Sequence, residues 1–296
     1  MGRPLRLFEP ESVYFVTGRC LQARFLLRPS QETNSLVGAV LARAISVFDV
    51  DVFAFVFLAN HFHMLIRSRH GRIPAFMQYL RSNIAKKVGR AVDWHGKFWD
   101  RRYDAAPVLD DDALVDRLRY ILAHGVKEGL IARCEDWPGV TCIPELTTAT
   151  PRLFPWPAKV KLPQRDETKR GTATIRLAAL PCWETMGADH RRKHVASLVR
   201  DIEAEVQLGR CGVPVLGVRR ILDQNPHARP RHAKASPRPL CHASTYKAKQ
   251  AYAAKYCTFV DAYRRASTAF RGGNLGVEFP EYAYRPPWIV PYLLAA

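Results

Sequence analysis

The clearest structural signal in the chain runs from Val52 to Ile66 and reads VFAFVFLANHFHMLI. It contains two apolar runs, Val52–Leu58 and Phe62–Ile66, which only residues 59–61 separate. Short runs rich in β-branched and aromatic residues are typical of strands, and a connection this short joins strands that run antiparallel. The stretch therefore predicts a tight β-hairpin.

The segments on either side of this hairpin carry their own patterns. The run SVYFVT at residues 12–17 predicts a strand, and apolar residues spaced by three and four after Ser30 predict a helix. A second helix is expected from Pro74, because proline is favoured in the first turn, and a third from Asp112 to about His124. The order strand, helix, hairpin, helix indicates an α+β fold, an antiparallel sheet backed by helices.

The composition changes halfway along the chain and divides it into three parts. Residues 1–146 carry the patterns just described, and residues 147–188, rich in Pro, Thr and Lys, are interpreted as a linker. Residues 189–296 are basic and mostly helical or irregular, with helices expected at 189–208 and 251–270. This last part is a candidate for DNA binding or dimerisation.

The chain is strongly basic. Lys and Arg total 45 against 27 Asp and Glu, which gives a formal net charge of +18 and a pI of about 9.9. A basic protein of ordinary hydrophobic content usually binds a polyanion, most often nucleic acid. An Arg-rich composition without such a partner is the alternative, so charge supports a nucleic-acid function without establishing it.

Cysteine usage and hydropathy indicate the compartment. The seven cysteines are scattered and form no C-x-x-C pair, which argues against a zinc ribbon and against a disulfide scaffold. No apolar run approaches the ~20 residues that span a bilayer, and the N-terminus lacks the apolar core of a signal peptide. We expect reduced thiols, no membrane association and a cytoplasmic protein associated with the bacterial nucleoid.

Two histidines lie two residues apart in the second strand of the hairpin. Side chains at i and i+2 of a strand share a face, so His61 and His63 project together, while Phe62 and Met64 face the core. Two imidazoles on a rigid strand can ligate one metal ion if a third ligand comes from elsewhere. Alone, the pattern also fits packed or surface histidines.

The third helix offers a tyrosine and a further histidine. Tyr120 lies about 200° around the helix from Leu118, away from the apolar stripe that includes Ile121. His124 follows Tyr120 one turn later on the same face. A structural role is the usual one for a helix tyrosine, and a position on a polar face weakens that interpretation.

Three segments, taken in order, resemble the HUH (histidine–hydrophobe–histidine) single-tyrosine transposases, and among them the REP-associated tyrosine transposases. They are Leu58–Ile66 (LANHFHMLI), Gly96–Tyr103 (GKFWDRRY) and Arg119–Val126 (RYILAHGV). The last two are similar to the family's Phe-Trp-x-Arg-Arg and Tyr-Ile-x-x-Asn-Pro-Val stretches. The resemblance covers residues 10–135, and three segments in the family's order and spacing identify the chain as a member.

The resemblance implies roles for four side chains. His61, His63 and His124 would hold a divalent metal, Mg²⁺ or Mn²⁺, and Tyr120 would be the nucleophile. His124 stands where the family usually has Asn or Gln, and His124-Gly125 replaces the usual Asn-Pro. This departure leaves the metal preference open, since imidazole also suits softer ions. The implied HUH endonuclease fold is an antiparallel sheet of ferredoxin-like order, with helices on one face and the histidines on a central strand.

The implied activity is cleavage and transfer of single-stranded DNA near imperfect hairpins through a 5′-phosphotyrosine intermediate, as in REP-element transposition. Two alternatives stay open. One is a relaxase-like or replication-initiator-like nickase, which usually has more than one tyrosine on that helix. The other is a catalytically silent regulator that binds hairpin DNA, although the intact set of four site residues speaks against decay. The expected partner is single-stranded or hairpin DNA, and a homodimer is also possible.

DNA contacts are predicted in several basic segments. The stretch 94–103 could stack bases and hold phosphates, although Phe98 and Trp99 could instead close the core. Tyr103 is a second candidate nucleophile, but it lacks a polar partner one turn later. The segment 219–250 suits an extended arm along a DNA backbone, with a solvated linker as the alternative. The predicted DNA-binding residues are Arg81, Lys86, Lys87, Lys97, Arg101, Arg102, Arg219, Arg220, Arg229 and Arg231.

Overall fold

The computed structural model describes residues 5–148, 150–156, 171–231 and 238–283. These residues form two compact units, one of residues 10–244 and one of residues 5–9 together with 245–283. The larger unit holds both the predicted hairpin and the predicted tyrosine helix.

A four-stranded antiparallel sheet forms the centre of the larger unit. Its strands are β1 (Val13–Arg19), β2 (Asp51–Phe57), β3 (His61–Arg67) and β4 (Asp104–Val108). They lie side by side in the order β2-β3-β1-β4. This is the ferredoxin-like order that the resemblance implied, and it pairs β3 on both sides. The α+β class and the inner position of the histidine strand are therefore confirmed.

The predicted hairpin joins β2 to β3 through residues 58–60. The backbone N–H of Leu58 donates to the carbonyl of His61 at 2.8 Å, which closes the turn. On the neighbouring strand, Gly18 of β1 lies opposite Phe62, and a Cβ at Gly18 would come within 2.3 Å of the Phe62 ring. The close approach of this ring to the backbone therefore requires a glycine.

Two helices pack against each other beside the sheet, α1 (Gln31–Val47) and α2 (Ile73–Ala91). The Ser30 hydroxyl accepts a hydrogen bond from the backbone N–H of Thr33 at 3.0 Å and caps α1. Pro74 occupies the first turn of α2, as its position in the sequence predicted.

A third helix, α3 (Asp111–Lys127), begins where the acidic residues predicted it. The Asp110 carboxylate accepts from the backbone N–H of Ala113 at 2.9 Å, and two more aspartates occupy the first turn. Both features stabilise the N-terminus of the helix, through a cap and through the helix dipole.

The expectation that helices cover one face of the sheet is wrong. Phe62 contacts Trp99, with ring centroids 5.6 Å apart, and the Trp99 indole N–H donates to the carbonyl of Arg81 on α2. His63, on the opposite face of the same strand, contacts Tyr120 of α3. The histidine face of the sheet is also covered, because α3 packs against β2 and β3 with a buried apolar stripe.

The described residues between 147 and 244 belong to this same unit. The further elements are α4 (Ile143–Thr147), β5 (Leu153–Trp156), β6 (Gly171–Thr174), α5 (Ala188–Arg210) and α6 (Val218–Leu222). The backbone N–H of Ala178 donates to the carbonyl of Val52 at 3.0 Å, and Trp183 is buried. Residues 171–188 of the predicted linker are thus held to the domain by apolar side chains, whereas residues 149 and 157–170 lie outside the described residues.

The smaller unit is built on one long helix, α7 (Tyr246–Arg271), which includes the predicted helix at 251–270. Lys255 forms an ion pair with Glu9 at 2.6 Å, and the Tyr256 hydroxyl donates to the carbonyl of Leu5 at 2.8 Å. The N-terminal residues and α7 therefore belong to one unit.

No helix in the described ranges is long and apolar enough to cross a bilayer. The cysteines at positions 20, 134, 142, 182, 211, 241 and 257 are free thiols.

Candidate active site

Three histidines converge between the sheet and α3. His61 and His63 project from β3, and His124 projects from α3, so that one donor nitrogen from each lies within 4.8 Å of the others. The closest pair is His61 Nε2 and His124 Nε2, at 2.9 Å. Among the described residues, no other three His, Cys, Asp or Glu side chains form such a cluster. The fold thus brings a third candidate ligand to the H-x-H pair.

Asn60 orients His61. Its side-chain amide donates to the carbonyl of Ala23 at 3.1 Å, which turns its oxygen toward His61 Nδ1 at 2.6 Å. The Nδ1 of His61 therefore carries the proton in this hydrogen-bond network, and Nε2 keeps a lone pair directed at the cluster. Such an outer partner is typical of a metal-binding histidine.

Thr17 holds His63 in a similar way. The two residues are cross-strand partners on β1 and β3, and the Thr17 hydroxyl lies 2.9 Å from His63 Nδ1. His63 Nε2 is buried and has no hydrogen-bond partner among the described residues. Because buried polar atoms are nearly always satisfied, this nitrogen fits a metal ligand.

Burial keeps the histidines neutral. It lowers the pKa of both His61 and His63 well below the ordinary value of 6.5, and the nearby His124 and Arg19 lower the pKa of each further. Arg19 reaches the site because it is the cross-strand partner of His61. A neutral imidazole is the form that binds a metal, so the donor set suits a divalent ion.

Tyr120 lies directly against this cluster. Its ring centroid is 5.2 Å from that of His63, 5.0 Å from that of His124 and 5.8 Å from that of Phe15. Tyr120 is half-buried, whereas its neighbour Ile121 is fully packed in the core. The helix face that the sequence singled out as polar is therefore the face turned to the histidines.

Two cations that sequence reasoning missed flank Tyr120. The Arg117 guanidinium carbon is 5.0 Å from the centre of the Tyr120 ring, and Lys127 Nζ is 5.7 Å from it. Both belong to α3, three residues before and seven after the tyrosine, so helical spacing could have revealed them. A phosphate next to Tyr120 would therefore lie near the positive charges of Arg117 and Lys127.

Arg81 is not the solvent-facing DNA ligand that the sequence predicted. Its guanidinium stacks on Trp99 at 5.1 Å and donates to the carbonyl of Arg101 at 2.5 Å. Burial lowers the pKa of Arg81 to about 10. Phe98 and Trp99 are also buried, so this part of the basic aromatic stretch closes the core.

The second candidate nucleophile, Tyr103, belongs to the same packed group. It is only 6% exposed, and its ring lies 5.8 Å from the Arg81 guanidinium. This arrangement gives Tyr103 a structural role on the α2 side of the sheet, whereas Tyr120 contacts the histidines on the other side.

The remaining predicted DNA ligands lie at the surface to different degrees. The exposed residues are Lys86, Lys97, Arg219, Arg220, Arg229 and Arg231. The half-buried ones are Lys87, whose ammonium lies 4.8 Å from the Trp156 ring, Arg101, which pairs with Asp104 at 3.2 Å, and Arg102.

The predicted basic arm is docked on the domain beside the histidine hairpin. Phe25 donates from its backbone N–H to the carbonyl of Ala228 at 3.2 Å, and His227 Nε2 donates to the carbonyl of Val92 at 2.7 Å. Leu27, in the same loop as Phe25, donates to the carbonyl of Ala59 in the hairpin turn. Residues 232–237 of the arm lie outside the described residues.

Parts of the chain are similar to known transposases. Residues 24–124, about a third of the chain, match the family described as IS200-like transposases. Among solved structures, the chain is similar to a REP-associated tyrosine transposase bound to a REP hairpin, with 15% identity, a TM-score of 0.43 and coverage of 49% of this chain and 85% of that one. It is also similar to a proposed transposase from Deinococcus radiodurans R1, with 16% identity, a TM-score of 0.30 and coverage of 41% and 95%. No curated protein matches the sequence.

An inner-strand H-x-H pair faces a helix-borne tyrosine on a sheet of ferredoxin-like order, which is the arrangement that the resemblance to the HUH transposases implied. Residues 24–124 match the IS200-like transposase family, and this segment extends through His61, His63, Tyr120 and His124. The resemblance inferred from three short sequence segments is confirmed at this level.

Proposed function

We propose that the chain is a single-tyrosine transposase of the REP-associated type, which cleaves single-stranded DNA near hairpins and transfers the cut strand. One observation carries the proposal: the ring of Tyr120 lies against a cluster of three histidines whose donor nitrogens can all reach one ion. A nucleophile and a metal site this close are what a phosphodiester transfer needs.

Tyr120 performs the bond exchange. Its phenol oxygen forms a bond to phosphorus while the bond from phosphorus to the 3′-oxygen breaks. The phenol proton passes to solvent, and the released oxygen takes up a proton to become a free 3′-hydroxyl. The strand stays attached through a 5′-phosphotyrosine, so another 3′-hydroxyl can displace Tyr120 and rejoin the strand without ATP.

The surrounding side chains prepare this step. A divalent ion, Mg²⁺ or Mn²⁺, held by His61, His63 and His124 would polarise a non-bridging phosphate oxygen. Neutral imidazoles leave their lone pairs available as ligands, and Arg117 and Lys127 offset the negative charge of the phosphate.

DNA backbone binding is assigned to exposed cations near the hairpin. Arg229 and Arg231 follow the segment that docks beside the hairpin turn, and Lys97 is exposed on the connection before β4. Cations at such positions bind a strand by releasing its counterions, without reading its sequence. The basic C-terminal region would contribute in this way to binding hairpin DNA.

The test is cleavage of labelled single-stranded hairpin DNA taken from sequence flanking the gene, resolved on a denaturing gel. Wild type with Mn²⁺ should give a covalent adduct on the fragment 3′ of the nick. The adduct should disappear in Tyr120→Phe and in EDTA, and persist in Tyr103→Phe as the matched control. Binding without cleavage under any metal would contradict the proposal and favour a silent hairpin-binding regulator.

A further inference from the structure

A cleft outside the histidine cluster lies between the C-terminal ends of α3 and α5. It has a volume of about 240 Å³ and is lined by Val126, Lys127, Gly129, Val206, Gly209 and Arg210. Lys127 connects it to the active site, because the ammonium of this residue is 5.7 Å from the centre of the Tyr120 ring. The cleft therefore lies next to the nucleophile, on the C-terminal side of it along α3.

The charge of the cleft suits an anion. Lys127 and Arg210 both line it, and Arg210 Nε is buried without a hydrogen-bond partner among the described residues. A buried guanidinium nitrogen in this condition normally has a ligand or a water. Arg119 on α3 pairs with Glu205 on α5, which leaves less of that carboxylate charge to oppose an anion.

The end of α3 does not repel an anion as strongly as a bare helix C-terminus would. The carbonyls of His124, Gly125 and Val126 accept hydrogen bonds from the backbone N–H groups of residues 128, 130 and 129. Their partial negative charges are therefore largely satisfied within the turn.

Two glycines keep the cleft open. A Cβ added to Gly129 or to Gly209 would meet no atom within 4 Å, so both positions border free space. A phosphate with its sugar can approach the backbone there, because no side chain occupies the wall.

We infer that this cleft is a second phosphate subsite. It holds a phosphodiester that neighbours, on the same DNA strand, the phosphodiester that Tyr120 attacks. The inference rests on the proposed function and deepens it. Lys127 and Arg210 would fix the path of the strand past the nucleophile, with Arg210 donating from Nε to a phosphate oxygen.

Binding of a fluorescent single-stranded oligothymidylate to the full chain tests this subsite. The Tyr120→Phe background in EDTA removes cleavage and metal, and affinity is measured over a range of salt concentrations. Arg210→Gln and Lys127→Gln should each weaken binding several-fold and reduce the slope of log affinity against log salt by about 0.7. Arg200→Gln, an exposed arginine on the same helix, is the matched control and should change neither quantity.

The outcomes separate the subsite from the proposed function. If both variants bind the probe as the background does, or if Arg200→Gln has an equal effect, the subsite is overturned while the cleavage proposal stands. If the background protein does not bind oligothymidylate at all, the subsite is overturned, and the adduct gel with hairpin DNA and Mn²⁺ decides the cleavage proposal separately. Inorganic phosphate at millimolar concentration should compete less with the strand in the variants than in the background, and equal competition would also overturn the subsite. Arg210→Lys keeps the positive charge but lacks the Nε donor, so it should also weaken binding, and it tests the cleft if Arg210→Gln perturbs folding.

Discussion

At the scale of single residues, the candidate active site depends on side chains outside the three histidines and the proposed nucleophile. Asn60 and Thr17 each bind the Nδ1 side of one histidine, and so leave Nε2 of His61 and of His63 for the cluster. His124 completes the set with a third imidazole where the family usually has an amide. Two oriented imidazoles and one more from α3 make a stronger nitrogen site than the H-x-H pair alone.

We predict that Asn60→Ala lowers the affinity for Mn²⁺ by about 10- to 100-fold. Without the amide oxygen, His61 can adopt the other tautomer and rotate away from the cluster. Isothermal titration calorimetry of the metal-free protein measures the change, and Asn83→Ala on α2 is the control. Unchanged Mn²⁺ affinity in Asn60→Ala would show that the amide does not orient the ligand.

Strand periodicity placed His61 and His63 on one face, and helix periodicity did the same for Tyr120 and His124. Their proposed roles came from the resemblance to the HUH transposases. Sequence reasoning missed Asn60 and Thr17, whose roles depend on contacts between elements. The solvent exposure of Arg81 was mispredicted for a related reason. Its position on α2 is typical of an exposed side chain, but Trp99 and Tyr103 pack against its guanidinium. Tertiary packing decides how exposed a long cationic side chain is, and a local sequence pattern does not specify that packing.

At the scale of elements, the site depends on how tightly β1 and β3 pair. Thr17 and Arg19 of β1 face His63 and His61 of β3, and between them Gly18 accommodates the Phe62 ring on the other face. A shift of this pairing by one residue would turn Thr17 and Arg19 away from the histidines. The glycine is therefore part of what positions the site, although it lies on the opposite face.

We predict that Gly18→Ala destabilises the protein by about 1–3 kcal/mol, because the new Cβ overlaps the Phe62 ring in a packed core. Thermal and chemical denaturation measure the loss. Gly171→Ala is the control, since Gly171 is an exposed strand residue and a Cβ there meets no atom within 4 Å. Equal stability of Gly18→Ala and wild type would contradict the close approach.

At the scale of the whole molecule, the boundary suggested by composition does not coincide with the compact units. The sequence placed the end of the catalytic domain at residue 146, yet α5 packs on α3 and contributes Glu203, which accepts from the backbone N–H of Cys134 at 2.6 Å. A Pro-rich, polar composition indicates a linker only when no apolar side chains are interspersed, and here Ile175, Leu180 and Trp183 are buried. The sheet order, by contrast, followed from the resemblance and from the hairpin.

We predict that a fragment of residues 10–244 folds cooperatively, whereas a fragment of residues 10–146 does not. The shorter fragment would lose α5 from the outer face of α3 and the hydrogen bond of Ala178 with Val52 at the edge of β2. Limited proteolysis and thermal melting of the two purified fragments measure the difference. A stable, protease-resistant 10–146 fragment would restore the boundary that composition suggested.

The most direct test of the central claim is to locate the covalent DNA adduct on the chain by mass spectrometry. Trypsin separates the two candidate nucleophiles, because Tyr120 begins the peptide of residues 120–127 and Tyr103 begins the peptide of residues 103–117. After reaction with single-stranded hairpin DNA and Mn²⁺, followed by nuclease and trypsin, the nucleotide mass should be found on the peptide 120–127, at its first residue. A nucleotide on the peptide 103–117, or on any residue other than Tyr120, would contradict the account.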